Sequence, residues 1–470
     1  MALGTWKIRE HPLIQRINGF LASPKFILLT VVAAALANFF GWELPVYTLF
    51  VLVAVYCAVL GRDLLPWIPM VVCGYLAPSV DSNPGKNAES IFNAGHGGEY
   101  VMGLAVVLAL AILFYICREP KQFFRKRTLL WGLLGLSLVY FLGGLNSPAN
   151  PKFTESNRVF AALQAGSLLA PYLVISGGVK NPRDHGAYFC QTGFGVGCLV
   201  VLEILWIYLG GHVTQGGRID RDLIYTGWGM YNNMGGLLAT MIPFAFYMAY
   251  QKGRGWLGML LGSVFLAAVF MTNSRSSIIA GVLAYGVGMV VVLRRFHGKT
   301  ERLILGSMIG MVLCAVLIFH KEMAKLFDDI LNRGGSLNHR DEIWAEGWKQ
   351  FKKYPIFGGG FFPLEYDVYD FSTVREFSKF FPPRWHNTIV QLAASTGVVG
   401  LAAYAFHRLQ TVIAVIKNRS REVLCIGMYM LVLIITCIFD CHFFNIGPVL
   451  FYAMGLAFIE NTCNFGKKMI

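Results

Sequence analysis

Hydrophobic residues in this chain come in long unbroken blocks rather than in the one-sided stripe of a soluble amphipathic helix. Phe26 to Phe40, Val101 to Cys117 and Ile278 to Leu293 are near or above the length that crosses the hydrocarbon core of a bilayer. About fourteen such blocks follow one another, at approximately 26–41, 45–61, 64–79, 99–117, 128–145, 158–178, 187–209, 229–250, 256–271, 276–293, 303–319, 386–407, 423–440 and 443–461. The second and third also read as one re-entrant hairpin. The pattern therefore predicts an all-α polytopic membrane protein, a bundle of about 12–14 transmembrane helices. A buried core helix explains one block but not a series.

The rhythm breaks once, over 320–385. There Ile343, Trp344, Gly347, Trp348, Phe351 and Tyr354 recur at helical spacing, while Glu346, Lys349, Lys352 and Lys353 fill the other face. This long loop is expected to carry an amphipathic helix on the membrane surface or the bundle mouth, capped at Asn338 and ended by Tyr354-Pro355. Gly358-Gly359-Gly360 then supplies a turn, and Tyr366 to Lys379 has the mixed character of a mobile lid. The chain divides into a bundle over 1–319, a loop domain over 320–385 and C-terminal spans over 386–470.

Charge adds orientation. Of 470 residues 56% are hydrophobic and only 14% charged, which agrees with a bilayer environment. Lys and Arg collect in alternate connections: Lys7 to Lys25, Arg62, Arg118 to Arg127, Lys180 and Arg183, Lys252 and Arg254, Arg294 to Arg302, Arg408 to Arg421, and Lys467 and Lys468. The positive-inside rule places these in the cytoplasm, with both termini, and puts 320–385 outside. The net charge of +14 is mainly this bias, so the lipid bilayer is a partner and nucleic acid is not implied. Most of the ten cysteines lie in or at the ends of spans, where a thiol behaves as a small hydrophobe. Cys437, Cys441 and His442 stand near one outer helix end, without zinc spacing elsewhere, and no metal or cofactor is expected. Glu203 reads as the one acid deep inside a span.

Candidate chemistry gathers just before the twelfth block. Pro382-Pro383-Arg384-Trp385-His386-Asn387 leads into it, placing His386 at a helix N-terminus on the outer face. Arg408, 22 residues on and about 33 Å along a helix, falls at the cytoplasmic end. Taken alone, His386 reads equally as an interfacial histidine with satisfied hydrogen bonds. Three arginines from separate segments, Arg221, Arg275 and Arg340, fall on the same outer face. Each is either a lipid-headgroup or snorkelling arginine or a phosphate ligand. Trp228, Tyr231, Trp344 and Trp385 offer rings to sugars, although aromatics are expected at interfaces anyway. Glu43, Glu99, Asp440 and Asn445 are further outer-end polar residues.

His386-Asn387, nine residues, then Gly397-Val398-Val399-Gly400 resembles the His-Asn/Ser/Gln-x9-Gly-x-x-Gly signature of the O-antigen ligase/polymerase family of bacterial membrane glycosyltransferases. Gly335-x4-Arg340-x3-Trp344, followed by Pro355-x2-Gly358-x-Gly360, resembles the stretch before that histidine. Ser274-Arg275-Ser276 is similar to the family's short external arginine turn. Arg221, ahead of Gly227, Gly229 and Asn232-Asn233, is a looser version of its arginine–glycine–asparagine element, with Arg218 the competing arginine. The resemblance is specific from about 270 to 415, moderate from 218 to 245 and topological elsewhere.

The resemblance implies a glycosyltransferase of the inner membrane, metal-independent and inverting, with a periplasmic active site. Its donor would be a glycan on undecaprenyl pyrophosphate, and its acceptor a glycan or lipid A-core hydroxyl. His386 would be the catalytic base and Arg221, Arg275 and Arg340 the pyrophosphate ligands. Arg384, Trp385, Asn387, Trp344 and Asn232 would contact the acceptor or support the site. The motif does not separate ligase from polymerase. A transporter or flippase of lipid-linked glycans is the competing reading, although the polar residues concentrate at one face rather than at the midplane.

Overall fold

The computed structural model describes residues 9–78, 97–145, 155–180, 182–212, 231–296, 298–318, 340–360 and 385–466. Every regular element among them is helical. In chain order these are α1 (Pro12–Leu21), α2 (Pro24–Phe40), α3 (Glu43–Val59), α4 (Trp67–Leu76), α5 (Gly97–Arg118) and α6 (Pro120–Phe123). There follow α7 (Leu130–Leu142), α8 (Glu155–Gly178), α9 (Pro182–Leu209), α10 (Tyr231–Lys252), α11 (Gly255–Met271) and α12 (Arg275–Arg295). The last are α13 (Lys299–Ile318), α14 (Arg340–Lys353), α15 (Thr388–Lys417), α16 (Arg421–Phe439) and α17 (Ile446–Gly466), with one 3₁₀ turn at His442–Phe444.

Each of the fourteen apolar blocks coincides with a helix. Helices satisfy every backbone group internally, which is what hydrocarbon demands. Among the described residues six helices can cross a membrane by length and composition, or seven when α1 and α2, bent by 63° at their junction, count as one span. The difference from the predicted number lies partly in five shorter apolar helices, among them α3, α4, α7 and α11. The protein is a polytopic all-α membrane protein. α10 is its central post, buried almost throughout and packed on α9, α11, α12 and α16. α5 packs on α3 and turns most of its surface outward.

Two charge assignments change. Glu203 is buried as expected, but Glu460 in α17 is a second acid inside a predicted span. Its carboxylate accepts from the N–H groups of Thr128 (2.9 Å) and Leu129 (2.7 Å) and from the Tyr172 hydroxyl (3.0 Å), capping the free N–H groups where α7 starts. Arg408, assigned above to a cytoplasmic connection, lies within α15. Its guanidinium stands 4.6–4.9 Å from the ring centres of Phe443, Tyr404 and Tyr452 and donates to the Tyr452 hydroxyl at 2.9 Å. Counting charges cannot see this, because a cage of aromatic faces accommodates a cation without a carboxylate.

α15 is broken at Gly397, whose φ of 64° and ψ of −159° lie outside helical space. The chain after α14 fills the break. Gly359 and Gly360 donate to the carbonyls of Ala394 (2.8 Å) and Ser395 (3.1 Å), while Val398 and Val399 donate to those of Pro355 (2.8 Å) and Ile356 (3.2 Å). Backbone groups freed by the break are thus paired again, as a buried kink requires. The first signature glycine is therefore architectural: it ties the segment carrying Arg340 to the helix that His386 precedes. α14 itself lays Ile343 and Trp344 on Trp385, Val390 and Ala394, a small core separate from the main one.

Candidate functional site

The site is organised by the turn between α16 and α17, Asp440 to Asn445. Asn387 reaches it first. Its side-chain oxygen caps α15 by accepting from the N–H of Ile389 (2.8 Å) and Val390 (3.0 Å), and its amide nitrogen donates to the Ile438 carbonyl at 2.8 Å. That one side chain fixes the start of α15 against the end of α16. His386, immediately before it, has a left-handed backbone (φ 48°), a conformation that costs a non-glycine residue on the order of 1–3 kcal/mol and concentrates at functional sites. The turned backbone places His386 Nδ1 3.3 Å from Asp440 Oδ1.

Asp440 is the meeting point. Its Oδ1 also accepts from the Cys441 N–H at 2.7 Å, and Arg340 Nη2 lies 3.9 Å from its Oδ2. Arg340 additionally donates to the Phe439 carbonyl. Burial opposes ionisation of Asp440, but the hydrogen bond from His386 and the charges of His442, His386 and Arg340 outweigh it and hold the carboxyl below its usual range. Asp440 is therefore a carboxylate at neutral pH. With Nδ1–H as the donor to it, Nε2 is the ring nitrogen turned away from the carboxylate, the arrangement by which a carboxylate orients a histidine base.

A second arm joins through Asn445, whose amide donates to the Asn233 side chain at 2.8 Å. Asn233 stands near the start of α10. There Gly235 and Gly236 let neighbours approach closely: an added methyl would sit 2.6 Å from Thr272 Oγ1 and 2.5 Å from His442 Nε2 respectively. Ser277 Oγ donates to the Asn232 carbonyl at 3.5 Å, which fastens α12 beside α10. Arg275 is the first residue of α12, half-buried, so it belongs to the same end of the bundle. No hydrogen-bond partner among the described residues holds its guanidinium.

Residues 260–405 match the family model described as O-antigen ligase, about a third of the chain. This stretch is an O-antigen ligase domain. It contains Arg275, Arg340 and His386, and stops before the turn at Asp440 to which two of them are bound. No curated protein and no solved structure matched the chain.

Within the O-antigen ligase domain the structure brings His386, Asn387 and Arg340 together on Asp440 and its neighbours. Trp385, only 4% exposed, belongs to the small core under α14, a position for supporting the site rather than for contacting a sugar. Trp344 packs at the edge of that core, half-buried. Asn232 contributes its backbone carbonyl to Ser277. Arg221, Arg218, Arg384 and Trp228 lie outside the described residues, as do the expected cap Asn338 and the segment Tyr366 to Lys379. Glu99 is exposed and Glu43 buried. The residues that sequence reasoning underrated are Asp440, which it held only as one of four outer-end polar residues, and the buried Gln391, which it did not single out. For Asp440 the available signal was an acid at the outer end of a span beside His442. Nothing local marks Gln391.

Proposed function

We propose that this protein transfers a glycan from undecaprenyl pyrophosphate to an acceptor hydroxyl at the non-cytoplasmic face of the bacterial inner membrane. The observation that carries this reading is the His386–Asp440 pair, placed at one end of a membrane bundle that contains an O-antigen ligase domain. The acceptor oxygen attacks the anomeric carbon of the donor's reducing-end sugar. The bond from that carbon to the pyrophosphate oxygen breaks, and pyrophosphate departs with the electron pair on its lipid. His386 Nε2 takes the hydroxyl proton, while Asp440 orients the ring and balances the charge that forms on it.

Pyrophosphate leaves as an anion and needs charge stabilisation more than a proton. Arg275, whose guanidinium has no hydrogen-bond partner among the described residues, is available to supply it. Arg340 has donors left after its contact with Phe439, and Arg221 precedes α10 in the chain. Purified protein in lipid nanodiscs, given lipid-linked glycan, is expected to form product with a lipid A-core acceptor if it is a ligase. With a second lipid-linked unit as acceptor it would form product if it is a polymerase. Transfer in either case should persist in EDTA. Product with neither acceptor ends the proposal. Arg275→Lys keeps the charge but loses the planar two-point contact. One lost charge-assisted hydrogen bond, about 1.5–3 kcal/mol, corresponds to roughly ten- to hundredfold in turnover; full activity in that variant reduces Arg275 to basic surface.

Orientation has its own check. A cysteine introduced at exposed Lys349 on α14 should react with a membrane-impermeant thiol reagent added to intact spheroplasts, and one introduced at Lys121 should not. The reverse pattern would put the site in the cytoplasm and exclude this donor geometry.

A further inference from the structure

Gln391 is fully buried one turn into α15, and its amide is spent on two segments that flank the proposed reacting pair. Its Oε1 accepts the Trp385 N–H at 3.1 Å and lies 3.9 Å from Cys441 Sγ, an S–H donor. Its Nε2 donates to Ser395 Oγ at 3.1 Å, which anchors the side chain to its own helix beside the Gly397 break. Trp385 is the residue before His386, and Cys441 is the residue after Asp440. Cys441 N–H in turn donates to the same Asp440 oxygen that faces His386 Nδ1. One side-chain oxygen therefore contacts the Trp385 backbone N–H and the Cys441 thiol, in the two segments whose separation sets the histidine–carboxylate contact.

The geometry is unusual for a merely satisfied core glutamine. A polar group buried in the bundle needs partners, but any hydroxyl or carbonyl on a neighbouring helix serves that end. Here the partners are an N–H and an S–H on the two non-helical segments that meet at the site. The left-handed backbone at His386 has a soft preference against it, and the Trp385–Gln391 hydrogen bond is fixed one residue before that strained position. We propose that Gln391 is a positioning residue, acting through Trp385 and Cys441 to hold His386 Nδ1 within hydrogen-bond reach of Asp440. It touches no substrate. This rests on the reading of His386 as the base.

Gln391→Met keeps length and bulk while removing the amide's hydrogen bonds, and Gln391→Glu restores the acceptor oxygen. In the reconstituted transfer reaction Gln391→Met should lower kcat about 10- to 100-fold, the scale expected when a catalytic group is displaced by about 1 Å. The donor KM should stay within about threefold, since the pyrophosphate ligands are untouched. Gln391→Glu should recover part of kcat. In an Asp440→Asn background, Gln391→Met should cost little more, because the contact it maintains is already lost. The inference is overturned if Gln391→Met turns over like the parent while His386→Ala is inactive. It is equally overturned if kcat, KM and the yield of folded protein all worsen together, as for a packing residue. If His386→Gln turns over normally, the reading of the base fails first, and that result is separable from the other two.

Discussion

His386→Ala is expected to lower glycan transfer by about 10²–10⁴-fold, the usual contribution of a positioned general base. The side chain is 40% exposed and fills no core, so its removal leaves no cavity. The protein should still insert, and lipid-linked donor should still bind through the arginines. The loss should fall on kcat, because the interaction is made only while the acceptor proton moves. His386→Gln should fare no better: its amide can hydrogen-bond to Asp440 but cannot take a proton. Normal turnover by His386→Gln would make His386 an orienting residue and send the search for a base to other acids.

Gly397→Ala is expected to be the most damaging substitution away from the reacting groups. At φ 64° and ψ −159° the position is nearly restricted to glycine. A methyl there would also stand 2.3 Å from the Ile356 carbonyl oxygen and 2.4 Å from its carbon, both backbone atoms that cannot swing away. Strained backbone costs about 1–3 kcal/mol and overpacking typically about 1–3 kcal/mol more. The joint between α15 and the chain after α14 should open, displacing His386 and Arg340 relative to each other. The readouts are thermal unfolding in detergent and transfer activity, and both should fall. A Gly397→Ala protein with parental melting and turnover would mean that the break in α15 is not needed.

The sequence made the helices legible because a bilayer imposes one crude rule, a run of apolar residues long enough to span it, and each predicted block is a helix. It made His386 legible through a local signature, and Asn387 and Gly397 with it, although the structure gives those two architectural jobs in capping and kinking. Asp440 stayed in the background because its partners His386 and Arg340 are 54 and 100 residues away in the chain, and no spacing rule links them. Trp385 stayed open between sugar contact and support of the site for a related reason, because α14, which folds over it, comes from a separate segment. Arg408 misled because charge at a helix end and charge inside an aromatic cage look alike in one dimension.

If His386 and Asp440 act as one unit in glycan transfer, a double-mutant cycle on turnover reveals it most directly. Asp440→Asn should lower kcat about 10²-fold or more, because an amide no longer balances the charge that forms on the ring when it takes the proton. Combined with His386→Gln, it should cost no more than the worse of the two single changes, since Asp440 works only through that ring. Losses that multiply in the double variant would mean that the two residues act independently, and the pair at the turn between α16 and α17 would not be the acid–base unit of this protein.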